Sequence, residues 1–187
     1  VNTKYPYSRA VVYSTVSYAN YVISLFKKKS PKTMENLYKV RDRLPLASVL
    51  YLYKTMKIYG SEQKSKWSVL SDILWNKVKV DPTTAHFENQ ENQGWWWIHE
   101  SNIRTTATIL FGMLESKGKF PMAEKVARWL TEATKQKRYI STQENIRLFQ
   151  AFEKYYKTYE KETPDFVIEA LINPHEVPYE YHTGRED

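Results

Sequence analysis

Apolar side chains recur at three- and four-residue steps along most of the chain, which is the spacing of one face of a helix. The pattern predicts helices over about 8–28, 32–41, 44–59, 62–79, 102–117, 122–136 and 141–161. On the first helix we expect one buried apolar face made of Val12, Val16, Ala19, Ile23 and Phe26. These elements predict an all-α fold.

Two kinds of helix alternate along this series. The helices over 44–59 and 102–117 are apolar around most of their circumference, whereas those over 62–79 and 122–136 carry a single apolar stripe. The two pairs form an internal repeat of about 60 residues, in which 47–51 corresponds to 107–111. Buried inner helices covered by outer ones predict an α/α toroid, here a partial ring of antiparallel helix hairpins over 1–162.

A segment between the two repeats breaks the helical period. Asp81-Pro82 turns the chain, and the aromatic run Trp95-Trp96-Trp97 favours a strand, so a small β-hairpin is predicted over about 80–99. Three successive side chains cannot share one face of a strand. Trp95, Trp96 and Trp97 are therefore a candidate surface for docking another domain, with stacking on carbohydrate as the alternative.

The last 25 residues read differently from the helical part. Thr163-Pro164-Asp165 ends the final helix, and 166–172 has the composition of a strand. The remainder, which contains Pro174 and Pro178, is predicted to be irregular. We interpret 163–187 as an extended connection toward a following β domain.

Composition narrows the classes of protein. A hydrophobic content of 42% supports one real core, and no apolar run approaches the roughly 18 residues of a membrane span, so direct membrane insertion is not predicted. The absence of cysteine excludes disulfides and thiolate chemistry in this chain. The net charge of +7 is spread out, with Lys27-Lys28-Lys29 the one triple. We interpret that triple as a cationic helix end rather than a nucleic-acid site.

Candidate catalytic and metal-ligating residues are few. Inverting glycosidases, some of which are toroids, need two carboxyl groups about 6.5–9.5 Å apart, and the candidates here are Asp42, Glu100 and Glu144. The four histidines lack the i, i+4 spacing of a helical metal pair. They are His86, His99, His175 and His182. No metal, cofactor or catalytic constellation is predicted.

A capping box opens the last helix. Ser141 can accept a hydrogen bond from the backbone of Glu144, whose side chain reaches back to the Ser141 amide. Upstream lie an apolar helix over 103–114 and an amphipathic helix that carries Arg128-Trp129-Leu130.

This order of elements, in which Arg128-Trp129-Leu130 is followed by a short connection and by Ser141-Thr142-Gln143-Glu144, resembles the thioester-containing domain of the alpha-2-macroglobulin and complement family. The resemblance covers about 8–160 and is most specific over 102–156. In this resemblance Arg128, Trp129, Leu130, Ser141, Thr142, Gln143 and Glu144 have structural roles.

The resemblance implies a piece of a bacterial protease trap, an endopeptidase inhibitor rather than an enzyme, that is extracytoplasmic. Its partners would be the other domains of the same parent chain and, through the parent, target proteases. The family's Cys-Gly-Glu-Gln thioester element is absent here and is expected upstream of Val1. The alternatives are a toroid glycosidase-like enzyme and a carbohydrate- or protein-binding module that uses the Trp95–Trp97 surface.

Overall fold

A computed structural model describes residues 6–88, 101–138, 140–160, 167–170 and 179–182, with side chains described between 10 and 160 within these ranges. The α-helices of this part of the chain are α1 (Pro6–Leu25), α2 (Pro31–Lys39), α3 (Leu46–Tyr59), α4 (Lys64–Asn76), α5 (Asn102–Lys117), α6 (Ala123–Gln136) and α7 (Thr142–Tyr159). Short 3-10 helices at Arg41–Arg43 and Ser61–Gln63 lead into α3 and α4. The all-α fold class with a small β insertion is confirmed.

The helices form an inner row and an outer layer. α1, α3, α5 and α7 pack side by side in that order, while α4 covers α3 and α6 covers α5. Lys57 Nζ lies 2.6 Å from the carbonyl oxygen of Ser116, and Tyr159 Oη lies 2.7 Å from the amide nitrogen of Phe120. Because these contacts join the C-terminal ends of neighbouring inner helices, the inner helices run in the same direction.

Burial follows the two kinds of helix that the sequence pattern distinguishes. α3 and α5 bury residues around most of their circumference, including Leu52, Met56, Leu110 and Met113, and form the centre of the core. The outer helices bury one stripe each, through Leu70 and Leu74 on α4 and through Val126 and Leu130 on α6. The predicted alternation of buried and one-sided helices is thus present in the described residues.

The predicted buried face of α1 is wrong for three of its five residues, which are exposed, whereas Val16 packs against the core. Ile23 and Phe26 are exposed to 42% and 74%, and the buried residues described on α1 are Ser17, Asn20 and Ser24. The polar side chains of Ser17 and Asn20 are buried without a hydrogen-bond partner. Small polar residues therefore let α1 approach α3, while Ile23 and Phe26 point away from the core.

A β-hairpin is present and begins at Val78, slightly before the predicted range of about 80–99. Strand β1 (Val78–Val80) pairs antiparallel with β2 (Ala85–Phe87), in the register Val78 to Phe87 and Val80 to Ala85. The helical spacing of Leu74 and Val78 predicts that α4 continues to residue 79, but the helix ends at Asn76. Val78 and Val80 are β-branched and favour the strand that the structure shows. Trp95, Trp96 and Trp97 lie outside the described residues.

The strand predicted within 166–172 is present as β3 (Val167–Ala170). It pairs antiparallel with β4 (Tyr179–His182), where an irregular chain had been predicted, so that prediction is wrong for these four residues. Tyr179 and Tyr181 alternate with polar residues, a strand pattern that the neighbouring Pro178 obscured. None of the described helices is long and apolar enough to cross a membrane.

Candidate functional site

Ser141 and Glu144, which open α7, lie where α5, α6 and α7 approach one another, and we call this contact the Glu144 junction. Glu144 Oε1 accepts hydrogen bonds from Ser101 Oγ at 2.5 Å and Lys137 Nζ at 2.6 Å, and its Oε2 accepts from the Ser141 amide at 2.8 Å and Ser141 Oγ at 2.9 Å. The Ser141 hydroxyl accepts in turn from the Glu144 amide. The predicted capping box is present.

The side chain of Glu144 is buried, since 3% of its surface is exposed. Burial raises the pKa of this carboxyl, but the hydrogen bonds from Lys137, Ser101 and Ser141 outweigh burial and lower the pKa from 4.5 to about 2. A carboxylate whose oxygens are fully engaged by donors is held in one place and one charge state. Its position suits a structural junction.

Two members of this junction escaped the sequence analysis. Ser101 caps α5, because its hydroxyl accepts from the Arg104 amide at 3.1 Å, and the same hydroxyl donates to Glu144. Ser101 could have been found as a cap residue preceding the predicted helix. Lys137 follows α6 and contacts Glu144 through the fold, and no local signal in the sequence marks that pairing.

The Arg128-Trp129-Leu130 segment divides its residues between core and surface. Leu130 is fully buried, whereas Arg128 forms a surface ion pair with Glu124 one turn earlier at 2.9 Å. Trp129 stacks on His86 of β2, with ring centroids 4.5 Å apart and an interplanar angle of 8°. This tryptophan therefore fastens the β-hairpin to α6, which is a packing role.

Of the four histidines, His86 is the one whose side chain the structure describes. Its Nε2 lies 3.6 Å from a carboxylate oxygen of Glu88, and its Nδ1 is buried without a hydrogen-bond partner. Within 10–88, 101–138 and 140–160, no three His, Asp or Glu side chains converge as a metal site requires. His99 and His175 lie outside the described residues.

Two of the three carboxyl groups that are candidates for glycoside hydrolysis, those of Asp42 and Glu144, are poorly suited to it. Asp42 is 72% exposed at the surface beside Arg41, and Glu100 lies outside the described residues. A general acid must hold its proton near neutral pH, so its pKa must be raised. The lowered pKa of Glu144 is the opposite property.

A second buried charge joins the inner helices. Lys54 of α3, which is 8% exposed, lies 2.5 Å from Glu115 of α5 and 4.4 Å from the ring centroid of Tyr21 on α1. The ion pair and the cation–π contact compensate the ammonium for lost water. Lys54 thereby ties three neighbouring inner helices together.

One shallow groove opens beside the C-terminal ends of α5 and α7. It has a volume of about 310 Å³ and is lined by Lys119, Phe120, Pro121, Glu124 and Tyr159. The Tyr159 hydroxyl is already engaged, since it accepts from the Phe120 amide and donates to the Phe120 carbonyl at 2.9 Å. The ammonium of Lys119 lies over the Tyr159 ring, 5.5 Å from its centroid, and the groove is open to solvent, so no reaction is assigned to it.

Comparison with known proteins bears on the fold. No protein-family model matches the chain, and no curated protein sequence matches it. Two crystal structures of Salmonella alpha-2-macroglobulin, one of a mutant and one of protein reacted with methylamine, align over 92% of this chain with a TM-score of 0.64 and 18% sequence identity. The aligned region is 10% of the length of that protein. The chain therefore shares the fold of a short part of Salmonella alpha-2-macroglobulin.

Proposed function

We propose that this chain is a structural segment of an extracytoplasmic, alpha-2-macroglobulin-like protease inhibitor, in which it forms part of an α/α toroid. The observation that carries the proposal is the alignment of nearly the whole chain with one-tenth of Salmonella alpha-2-macroglobulin. Its own role is to hold a rigid helical surface on which other domains of the parent dock. Trp95, Trp96 and Trp97 are proposed docking residues.

The two end helices of the inner row, α1 and α7, have exposed apolar side chains, which supports the proposal that further helices of the parent pack against them. On α1, Ile23 is exposed to 42%, and on α7, Ile146 and Phe149 are exposed to 49% and 71%. A closed ring of hairpins would cover both of these helices with neighbours. The internal helices α3 and α5 already have such neighbours, on both sides of the row.

The chain contains no cysteine, so a thioester in the parent protein needs residues from another part of the parent. The segment described here would contribute to protease trapping by position rather than by chemistry. The ion pairs and caps around Glu144 and Lys54 suit that role because they fix neighbouring inner helices relative to one another.

Protease trapping can be tested on the native parent protein, isolated with an antibody against this chain. After incubation with trypsin, we expect trypsin to lose activity on a large protein substrate and to keep activity on a small peptide substrate, because a trap excludes substrates by size. Parent protein treated first with methylamine, as the Salmonella protein was, serves as the control. We expect it to reduce trypsin cleavage of the large substrate by less than the untreated parent does. A parent that leaves cleavage of the large substrate unchanged would contradict the proposal.

The exposed faces predict that the isolated chain self-associates. Replacing Ile146 and Phe149 with serine is expected to raise the dissociation constant of that association roughly 100-fold, since each side chain contributes about 1.5 kcal/mol of apolar burial. Analytical ultracentrifugation over a range of concentrations measures this constant. The matched control replaces Val69 and Val80 with serine. These two residues are exposed to 37% and 52% and do not belong to α1 or α7. An equal effect of both double variants would remove the support that the α7 face gives to the proposal.

A further inference from the structure

The turn between α1 and α2 combines exposed apolar and basic side chains. Every residue from Leu25 to Lys29 is exposed, and Leu25 and Phe26 reach 54% and 74%. Lys32, in the first turn of α2, is exposed as well. We call this surface the basic corner and define it as Leu25, Phe26, Lys27, Lys28, Lys29 and Lys32.

Most of the net charge of the chain lies close to this corner in sequence. Residues 1–34 contain six Lys and Arg and no Asp or Glu. Subtracting these six from the 28 basic residues leaves 22 for the rest of the chain, against 21 acidic residues. Glu35, the first acidic residue, is neutralised by Lys66 at 2.6 Å. Four of the six basic residues of 1–34 belong to the basic corner, and this part of the chain has no acidic residue to offset them.

Compensation of the α1 dipole does not account for this surface. Lys29 alone reaches a backbone carbonyl, that of Tyr59 at 3.5 Å, and its ammonium lies 5.4 Å from the Tyr59 ring centroid. Neither Lys27, Lys28 nor Lys32 has an ion pair or side-chain hydrogen bond within the described ranges. A helix dipole also gives no reason for the exposure of Phe26.

The backbone at Lys27 points to a requirement for charge. The Lys27 amide donates to the Ser24 carbonyl and the Lys28 amide donates to the Ile23 carbonyl, which closes α1 with Lys27 at φ 58°. Glycine is the residue that adopts this left-handed position without steric cost. Lysine therefore occupies a position where glycine would make the fold more stable.

We propose that the basic corner binds the surface of an anionic lipid membrane. The lysine ammonium groups would lie among the headgroups, while Leu25 and Phe26 enter the boundary between headgroups and acyl chains. Clustered lysines attract anionic lipid, each by roughly fivefold in affinity. Binding of this kind is peripheral and needs no membrane-spanning segment.

A lipid surface fits these side chains better than two other anionic partners. Protein interfaces are depleted in lysine and enriched in arginine, whereas all the basic residues of the corner are lysines. Single-stranded nucleic acid would use several aromatic faces for stacking, and Phe26 is the one aromatic residue of the corner. An apolar tip beside unpaired lysines is the arrangement that serves binding at a lipid interface.

This inference does not depend on the proposed function. The corner lies at the C-terminal end of α1, whereas the exposed face that would receive the rest of a ring lies along the side of that helix. Protease trapping by the parent and lipid binding by the chain can therefore fail separately.

The test is co-sedimentation of the full chain with vesicles. Vesicles of phosphatidylcholine with about a third phosphatidylglycerol are compared with pure phosphatidylcholine, at about 0.1 M and about 1 M NaCl, where the screening length falls from about 10 Å to 3 Å. We expect binding to the anionic vesicles at low salt and its loss at high salt. Binding to pure phosphatidylcholine at equal strength, or no binding to either vesicle, would overturn the inference.

Variants assign the binding to the corner. Lys27→Gly is expected to raise the midpoint of thermal unfolding and to weaken vesicle binding roughly fivefold. The triple variant Lys27→Gly, Lys28→Gln and Lys32→Gln is expected to weaken binding roughly 100-fold. The matched control replaces Lys39, Lys77 and Lys135 with glutamine.

The control lysines are also exposed and lie at or just after helix C-termini, so they remove the same charge and the same dipole compensation elsewhere. Equal losses of binding in the two triple variants would overturn the assignment to the corner. If the wild-type chain binds a short single-stranded oligonucleotide and no vesicle, the proposal of lipid binding is overturned in favour of a nucleic-acid partner.

Discussion

Replacing Glu144 with alanine is expected to lower the free energy of unfolding by about 2–4 kcal/mol, because this buried carboxylate is the acceptor for the hydroxyl groups of Ser101 and Ser141 and for the Ser141 amide. Lys137 and two serine hydroxyls all direct protons at this carboxylate. The variant also loses the capping box of α7. Urea denaturation measures the difference, which should appear as a lower midpoint with an unchanged slope.

Two matched variants separate the parts of this effect. Ser101→Ala removes one hydrogen bond and the α5 cap and is expected to cost about 1 kcal/mol. Glu144→Gln keeps the shape and loses the charge, so we expect a cost between those of the other two variants. A loss of less than 1 kcal/mol in Glu144→Ala would mean that the Glu144 junction does not hold the helices together.

The same carboxyl predicts a pH dependence. The pKa of Glu144 is lowered in the folded protein to about 2 from 4.5, so the folded state gains stability from its ionised form at neutral pH. That stability is fully present above about pH 5 and is lost as the pH falls toward 2, by about 3 kcal/mol in total. The difference in stability between wild type and Glu144→Gln should therefore shrink over this interval. A difference independent of pH would contradict the assignment.

Elements whose determinants are local were predicted well from the sequence. The bounds of α5 were predicted to the residue, and the capping box at Ser141 and Glu144 is present as predicted. Caps and helical periodicity depend on residues within one or two turns of one another, so both can be predicted from the local sequence. The same holds for the division into buried and one-sided helices.

The orientation of α1 could not be predicted in this way. Hydrophobic periodicity identifies an apolar face and assumes that the chain covers it. In α1 the small polar residues Ser17, Asn20 and Ser24 are buried instead, and Ile23 and Phe26 of the predicted apolar face are exposed. A pattern of side chains cannot tell which neighbours are present.

Contacts between side chains of different helices could not be predicted from the sequence either. Lys137 and Glu144 meet because α6 and α7 are brought together by the fold. Lys54 and Glu115 are a partial exception, since their separation of 61 residues is close to the predicted repeat of about 60. A repeat places equivalent helices side by side, so opposite charges one repeat apart on inner helices are candidates for a buried pair.

Gly112→Val is expected to destabilise the protein by about 3 kcal/mol, because it overfills the contact between α5 and α3. A β-carbon at Gly112 would lie 2.6 Å from Leu50 Cδ2, 3.0 Å from Cδ1 and 3.1 Å from Cγ. Leu50 is 1% exposed, so its side chain has little room to move away. The missing side chain of Gly112 thus sets how closely these two inner helices approach. Urea denaturation of the variant measures the cost.

The steric cause is tested by a double-mutant cycle with Leu50→Ala. Alone, Leu50→Ala is expected to cost about 2–5 kcal/mol through the cavity that it leaves. Combined with Gly112→Val, it removes the atoms that the new methyl groups meet, and those methyl groups fill part of the cavity. The cost of the double variant should therefore fall short of the sum of the single costs by more than 1 kcal/mol, within the range seen for residues in contact. Additive costs would show that the destabilisation comes from the backbone of α5 rather than from the contact with Leu50. Gly112 would then not be the residue that sets how closely α3 and α5 approach.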